Sequence, residues 1–172
     1  MRKFLLPALF LFFFIMESIF VELLPVQHFN SNRILVPHFL LIVTLFFTIY
    51  GNKTHGIIYG FAFGLLFDIV YTEVIGIYLF MIPLIAYITS KMMQILQSNI
   101  IVVTIVSIVG VALLELGVYE MNYLIKITSM DFTTYTTLRL LPTLILNLAF
   151  TIIVAYPLKK FFEKYAIDLK KE

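Results

Sequence analysis

The sequence predicts an all-α integral membrane protein with about six transmembrane helices and both termini in the cytoplasm. Three observations predict it. First, 62% of the 172 residues are hydrophobic and only 13% are charged, against roughly 25% charged in soluble domains; the mean hydropathy is +1.03. Second, the apolar residues fall into six runs separated by short polar or proline-containing stretches. Third, the cations divide unevenly between the connections. With the N-terminus inside, nine of the twelve (Arg2, Lys3, Lys53, Lys91, Lys159, Lys160, Lys164, Lys170 and Lys171) fall on the inner side, and three (Arg33, Lys126 and Arg139) on the outer side. Inner connections rich in Lys and Arg are the positive-inside pattern.

The first run, about 4–24, follows a basic start and stops at Pro25. A basic start before an apolar run also opens a signal peptide. Here the run continues through Val21, no A-x-A-like site follows it, and further apolar segments come after, so it reads as an uncleaved first span. The second run, about 34–50, carries Pro37 in its expected first turn, where the missing N–H is tolerated. The third (56–71) and the fourth (74–90, with Pro83 inside) are short, since a span needs roughly 17–25 residues. A re-entrant pair at this point gives the five-span alternative. The fifth run is about 100–125. The sixth, about 138–158, has Pro142 early and Pro157 near its end. The basic stretch 159–172 (KKFFEKYAIDLKKE) reads either as a short amphipathic extension at an anionic surface or as a solvated end. A single polytopic domain then covers residues 1–172, in a cytoplasmic membrane. Its outer connections, 27–33 and 128–137, are short and polar.

Composition and motifs exclude several chemistries. A formal net charge of +2 gives no electrostatic footprint for nucleic acid. With no cysteine, disulfide and thiolate chemistry are impossible. The sequence has no G-x-S-x-G, P-loop or H-E-x-x-H pattern. His28 and His38 fall on the outer side and His55 on the inner, so they do not cluster as metal ligands. GLLFD lacks the GxGD of an intramembrane aspartyl protease. The expectation is a non-enzymatic protein without cofactor or metal.

Within the third run, Gly56, Gly60, Gly64 and Asp68 recur every fourth residue, close to one helical turn, and so form one stripe. Glycines let a second helix approach closely. Gly110 and Gly117 make a second small-residue face on the fifth run. Either face is expected to receive a helix of the same chain or one from a partner. Ionisable groups at membrane depth are costly, at least ~2.5–3.5 kcal/mol each on insertion scales. Glu17, Asp68 and Glu115 all fall in the outer half of their spans, and Arg139 begins the sixth on that side. A polar network joining these four would neutralise them together. Asp68 has two other readings, solvation at the interface and proton or ion chemistry.

The arrangement resembles the family of bacterial rod shape-determining proteins, MreD. The matching stretches are MRKFLLP, the acid of ESIF in the first span, LVPHFLL at the start of the second, YGFAFGLLFDIVYTEVIGIY, and ITSK closing the fourth. Gly60, Gly64, Asp68 and Gly76 carry most of it. The resemblance spans essentially the whole chain. It implies a non-enzymatic scaffold of the elongation machinery in the bacterial cytoplasmic membrane, supporting lateral peptidoglycan synthesis and rod shape. Its implied partners are the bitopic protein MreC, the actin-like MreB, a RodA-type glycosyltransferase and a class B penicillin-binding transpeptidase, with membrane lipids around it. The family is also similar in fold to the substrate-binding subunits of energy-coupling-factor transporters, which gives an alternative role as a vitamin-binding subunit. The short outer loops offer few polar ligands and there is no Trp to stack a planar vitamin, which favours the scaffold. A third reading is an ion or proton carrier using Asp68, Glu17 and Glu115.

Overall fold

A computed structural model of the chain describes residues 4–23, 33–72, 74–96 and 98–169. Arg2, Lys3, His28, Lys170, Lys171 and all of the 27–33 connection except Arg33 lie outside the described residues. The described secondary structure is helical throughout. In chain order it comprises α1 (Leu5–Leu23), α2 (Phe39–Phe46, continued by a π-helical turn Phe47–Gly51), α3 (Lys53–Tyr71), α4 (Ile77–Met92), α5 (Ile100–Leu124), the single turn α6 (Phe132–Tyr135), a second π-helical turn (Thr136–Leu140) and α7 (Leu141–Leu169). Among the described residues four stretches are long and apolar enough to cross a membrane: Leu5–Leu23, Lys53–Tyr71, Ile100–Leu124 and Phe132–Asp168. Phe39–Gly51 and Ile77–Met92 are apolar but shorter.

The short helix α2 is the centre of the molecule. Every residue from Phe39 to Phe46 is buried, which suits a segment that is apolar all round. The other helices pack on it through rings and small residues. From α1, Phe10 meets Phe47 edge-on at 5.9 Å and Phe20 meets Phe39 at 5.3 Å. From α7, Phe150 stacks on Phe39 at 3.9 Å, and the fully buried Phe162 packs against Phe47 at 5.2 Å. The one hydroxyl inside α2, Thr44, donates back to the Leu40 carbonyl at 2.7 Å, so it adds no unpaired polar group to the core.

The sequence places the start of the second segment at residue 34; the helix begins at Phe39, and 33–38 has no regular secondary structure. Pro37 therefore precedes the helix instead of sitting in its first turn. Proline pushes the residue before it out of the helical region. This backbone also finds its partners on the second π-helical turn and α7 rather than within itself. The clearest case is the Ile34 N–H, which donates to the Leu138 carbonyl at 2.8 Å. Pro142 lacks the N–H that would normally reach the carbonyl four residues before it. The proline of one segment thus frees the acceptor that the 33–38 stretch uses.

The last helix also departs from expectation. It runs unbroken from Leu141 to Leu169, with Pro157 inside it. The basic stretch is thus, as far as Leu169, a continuation of α7. Phe162 holds it down, at 0% exposure.

The third and fourth segments form a tight hairpin. Asn52 caps α3, its side chain accepting from the His55 N–H at 3.0 Å, and α3 therefore begins at Lys53, one turn before Gly56. A Cβ at Gly64 would stand 2.6 Å from the Tyr78 carbonyl oxygen and 3.0 Å from Leu79 Cα; at Gly60 it would stand 3.3 Å from Pro83 Cα. The obstacle at Gly64 is backbone, which cannot swing aside. On α5, a Cβ at Gly110 would stand 2.8 Å from Leu45 Cδ1 of α2, and one at Gly117 would meet Met81 of α4. Both glycine faces are occupied by helices of the same chain.

Candidate functional site

The two short helices have a common problem. Their first N–H groups start inside the bundle and have no intrahelical acceptor. Side chains of neighbouring helices supply one. Asp68, fully buried near the end of α3, takes three donors from the start of α4: the Gly76 N–H at 2.8 Å, the Tyr78 N–H at 3.0 Å and the Leu79 N–H at 2.9 Å. Gly76 itself, at φ 121°, has no side chain with which to cap. Its backbone geometry turns the chain so that the N-terminus of α4 points back at the carboxylate. A negative group at a helix N-terminus is favoured by both the open N–H groups and the helix dipole.

The start of α2 is held differently. The Leu40 N–H donates to Glu17 Oε2 of α1 at 3.1 Å. The His38 N–H donates to Asn147 Oδ1 of α7 at 2.8 Å. Asn147 is saturated: its Nδ2 donates to the carbonyls of Val36 at 2.9 Å and Thr143 at 2.8 Å. The Val36 N–H in turn donates to Thr143 Oγ1 at 3.2 Å. The whole 34–40 segment is thereby keyed to α1 and α7, with no helix of its own before Phe39.

A third group sits beside it. Glu115 of α5 is 1% exposed and accepts from three side chains. His38 Nε2 donates to Oε1 at 2.7 Å. Tyr135 Oη donates to Oε2 at 2.8 Å. Arg139 straddles the carboxylate, with Nε 2.9 Å from Oε2 and Nη2 3.3 Å from Oε1. A bidentate Arg–carboxylate pair is among the stronger hydrogen-bonded arrangements, and planar geometry fixes it in orientation. The π-helical turn over Thr136–Leu140 carries Arg139 directly into this cluster. Tyr135 is stacked on Tyr119 at 4.1 Å, and Tyr119 Oη donates to the Met130 carbonyl at 2.9 Å, so the α5–α6 connection is pinned to the same place. Outside the cluster, Asp131 caps α6 by accepting from the Thr134 N–H at 3.0 Å. Hydrogen bonds from Thr134 hold its carboxyl below the usual aspartate range.

Of the four residues expected to form one network, the structure brings Glu115 and Arg139 into contact. Glu17 and Asp68 serve separate helix ends. His38, Tyr135, Thr143 and the capping role of Asn147 were missed. The one signal for His38 is its place directly after Pro37 in LVPHFLL, at a helix start. Nothing local marks Tyr135 as a partner of a residue twenty positions earlier. Arg33, Glu22 and Glu120 lie exposed. A cavity of about 210 Å³ opens beside Glu17, lined by α1, Val36, Pro37, Phe67 and Tyr71. Among the described residues no group of three or more His, Cys, Asp or Glu is placed to hold a metal.

The family model described as rod shape-determining protein MreD matches residues 2–165. The chain is 36% identical over 172 residues to the rod shape-determining protein MreD of Bacillus subtilis (strain 168), covering all of this chain and 98% of that protein. It is 28% identical over 131 residues to the cell shape-determining protein MreD of Streptococcus pneumoniae, covering 76% and 77% of the two chains. No solved structure gives a significant match. A match to the family model over nearly the whole sequence, with a relative of this identity along its full length, means that the chain belongs to the MreD family of rod shape-determining proteins.

Proposed function

We propose that the protein is a non-enzymatic membrane scaffold of the bacterial elongation machinery. In this reading it spans the cytoplasmic membrane six times as one domain, with both termini inside. It binds MreC and so supports lateral peptidoglycan synthesis beside MreB, a RodA-type glycosyltransferase and a class B transpeptidase. Family membership is the observation that carries it.

The six-span reading is supported by the backbone accounting at 33–40. Non-helical chain at membrane depth is tolerated only where protein satisfies it, and here Leu138, Thr143, Asn147 and Glu17 do so. The inside orientation is supported by the packing of one bundle end. There the start of α3, the end of α4 and the late part of α7 bring Lys53, Lys91 and Lys159 against Tyr87 and Tyr50. The scaffold role is supported by how the carboxylates are used. Asp68 accepts three backbone N–H groups, and Glu115 holds three side chains. These are fixed structural positions, poorly suited to picking up and releasing an ion. The interior that a vitamin would occupy is filled by α2, all of whose residues from Phe39 to Phe46 are buried.

Depletion of the protein from a rod-shaped host tests the reading. Rods should round into spheres, with vitamin uptake unchanged. In detergent, MreC should co-purify with the tagged protein. Retained rod shape together with no MreC association would overturn the proposal. A defect confined to vitamin uptake would favour a transporter subunit. Asp68→Asn separates a carrier from a scaffold, since a carrier loses transport whereas a helix cap keeps an acceptor and retains part of its function.

A further inference from the structure

The inner end of the α3–α4 hairpin carries a pair of cations that no carboxylate among the described residues answers. Lys53 is the first residue of α3 and Lys91 lies in the last turn of α4. Their ammonium groups both stand 5.7 Å from the centroid of the Tyr87 ring. Two like charges beside one aromatic ring repel each other, and an anion near both offsets that repulsion. Among the described residues neither lysine has an ion-pair partner, whereas Lys159 has Glu163 at 3.8 Å. The first turn of α3 adds N–H groups on the same side: Asn52 takes only the His55 N–H with its side chain.

The surface leading away from these lysines is apolar on both helices. On α3, Lys53, Ile57, Phe61 and Leu65 follow one another at four-residue spacing and so share a face; Phe61 is 48% exposed and Leu65 39%. On α4, Phe80, Tyr87 and Lys91 are spaced seven and four apart, on one face, with Phe80 56% and Tyr87 46% exposed. The α3 stripe runs from Leu65 to Lys53 and the α4 stripe from Phe80 to Lys91, and both lysines stand beside the Tyr87 ring. Two apolar tracks ending at a paired cation match the shape and chemistry of a diacyl phospholipid with an anionic headgroup.

We propose that Lys53, Lys91 and Tyr87 form a binding site for the headgroup phosphate of an anionic phospholipid, whose acyl chains lie along the α3 and α4 stripes. The inference rests on α3 and α4 lying in a bilayer, but not on the partner proteins. Its failure is therefore visible in purified protein without touching cell shape. The site adds to the hairpin that Asp68 and Gly64 build. A lipid bridging Lys53 and Lys91 ties the open end of that hairpin, opposite the Asp68 cap.

Native mass spectrometry of the full-length protein, released from vesicles of phosphatidylglycerol and phosphatidylcholine in equal parts, tests it. Wild type should retain phosphatidylglycerol over phosphatidylcholine. Lys53→Gln with Lys91→Gln should lower that retention about 25-fold, at about fivefold per lysine, which is the equivalent of the roughly 1 kcal/mol a cation contributes at an anionic leaflet. Lys160→Gln with Lys164→Gln removes the same charge from α7 and should lower it less than twofold. Equal losses in the two double variants would reduce the effect to net charge and overturn the site. Retention of inorganic phosphate by lipid-free protein at the same level, with no preference between the two lipids, would overturn the lipid assignment. Tyr87→Leu, which keeps both lysines and an apolar surface, should weaken retention by an intermediate factor; no change would remove Tyr87 from the site.

Discussion

The starts of the two short helices, α2 and α4, solve one physical problem with different reach. Both leave N–H groups open inside the bundle, and both borrow a carboxylate from another helix. At α4 the donor groups and the carboxylate of Asp68 are eight to eleven residues apart and belong to one hairpin. At α2 the partners Glu17 and Asn147 lie 23 and 109 residues from the groups they accept. The local cap is a self-contained device, formed once α3 and α4 meet. The distant one requires α1, α2 and α7 to be in place together. The difference teaches where cooperativity resides: the α3–α4 hairpin is defined by its own sequence, while α2 and the 33–38 stretch are defined by the whole bundle.

The largest effect is expected at the cluster on which the distant assembly converges. Glu115→Ala leaves Arg139 and His38 facing a vacated site, and breaking a buried pair in this way typically costs about 3–5 kcal/mol. Thermal unfolding in detergent, followed by circular dichroism because the chain has no Trp, should show the midpoint fall sharply. A drop no larger than that of an exposed control such as Glu120→Ala would mean that the cluster does not hold the bundle.

Asp68→Ala comes next. It strands three N–H groups of a single turn, and at the low end of the roughly 1–3 kcal/mol for a buried unpaired group the three together cost about 3 kcal/mol. Glu17→Ala strands one, and should cost about a third as much. Equal losses in the two variants would erase the contrast between the two helix starts. Hydrogen exchange would sharpen it: Asp68→Ala should loosen the first turn of α4 alone, whereas Asn147→Ala should loosen 33–40 together with the start of α7.

The smallest effects separate backbone from side-chain contact within the glycine faces. Gly64→Val forces a branched side chain against the Tyr78 carbonyl and should destabilise by about 1–3 kcal/mol. Gly117→Ala meets only the flexible end of Met81, which can change rotamer, and should stay under about 1 kcal/mol. If the two cost the same, close approach of the α3 and α4 backbones is not what the glycine stripe provides.

Much of this could be read from the chain. The all-helical membrane class followed from composition and run lengths. The glycine spacing of α3 announced close packing, while Asp68 at its end left a buried partner, interfacial solvation and ion chemistry all open. The helix boundaries were harder. Residues 34–36 are as apolar as the helix that follows, and no local pattern shows that Pro142, more than a hundred positions later, frees the carbonyl that Ile34 uses. The continuation of α7 past Pro157 was hidden by the charge of KKFFEK, because a lysine-rich stretch looks like an end unless Phe162 is known to be buried. His38 and Tyr135 were invisible as site residues for a similar reason. Histidine and tyrosine near a span end are ordinary interfacial residues until a carboxylate is found beside them.

The sequence by itself determined that the chain is helical and apolar, where its cations gather along it, that α3 presents a side-chain-free face, and which acids lie within apolar runs. Hydrophobicity and helical periodicity are local properties, and a single chain displays them in full. Only the tertiary structure decided how those acids divide: Asp68 to the start of α4, Glu17 to the start of α2, and Glu115 to Arg139, His38 and Tyr135. Hydrogen bonding is satisfied over distances of a few ångströms, and which groups come that close depends on how all the helices pack, not on their spacing along the chain.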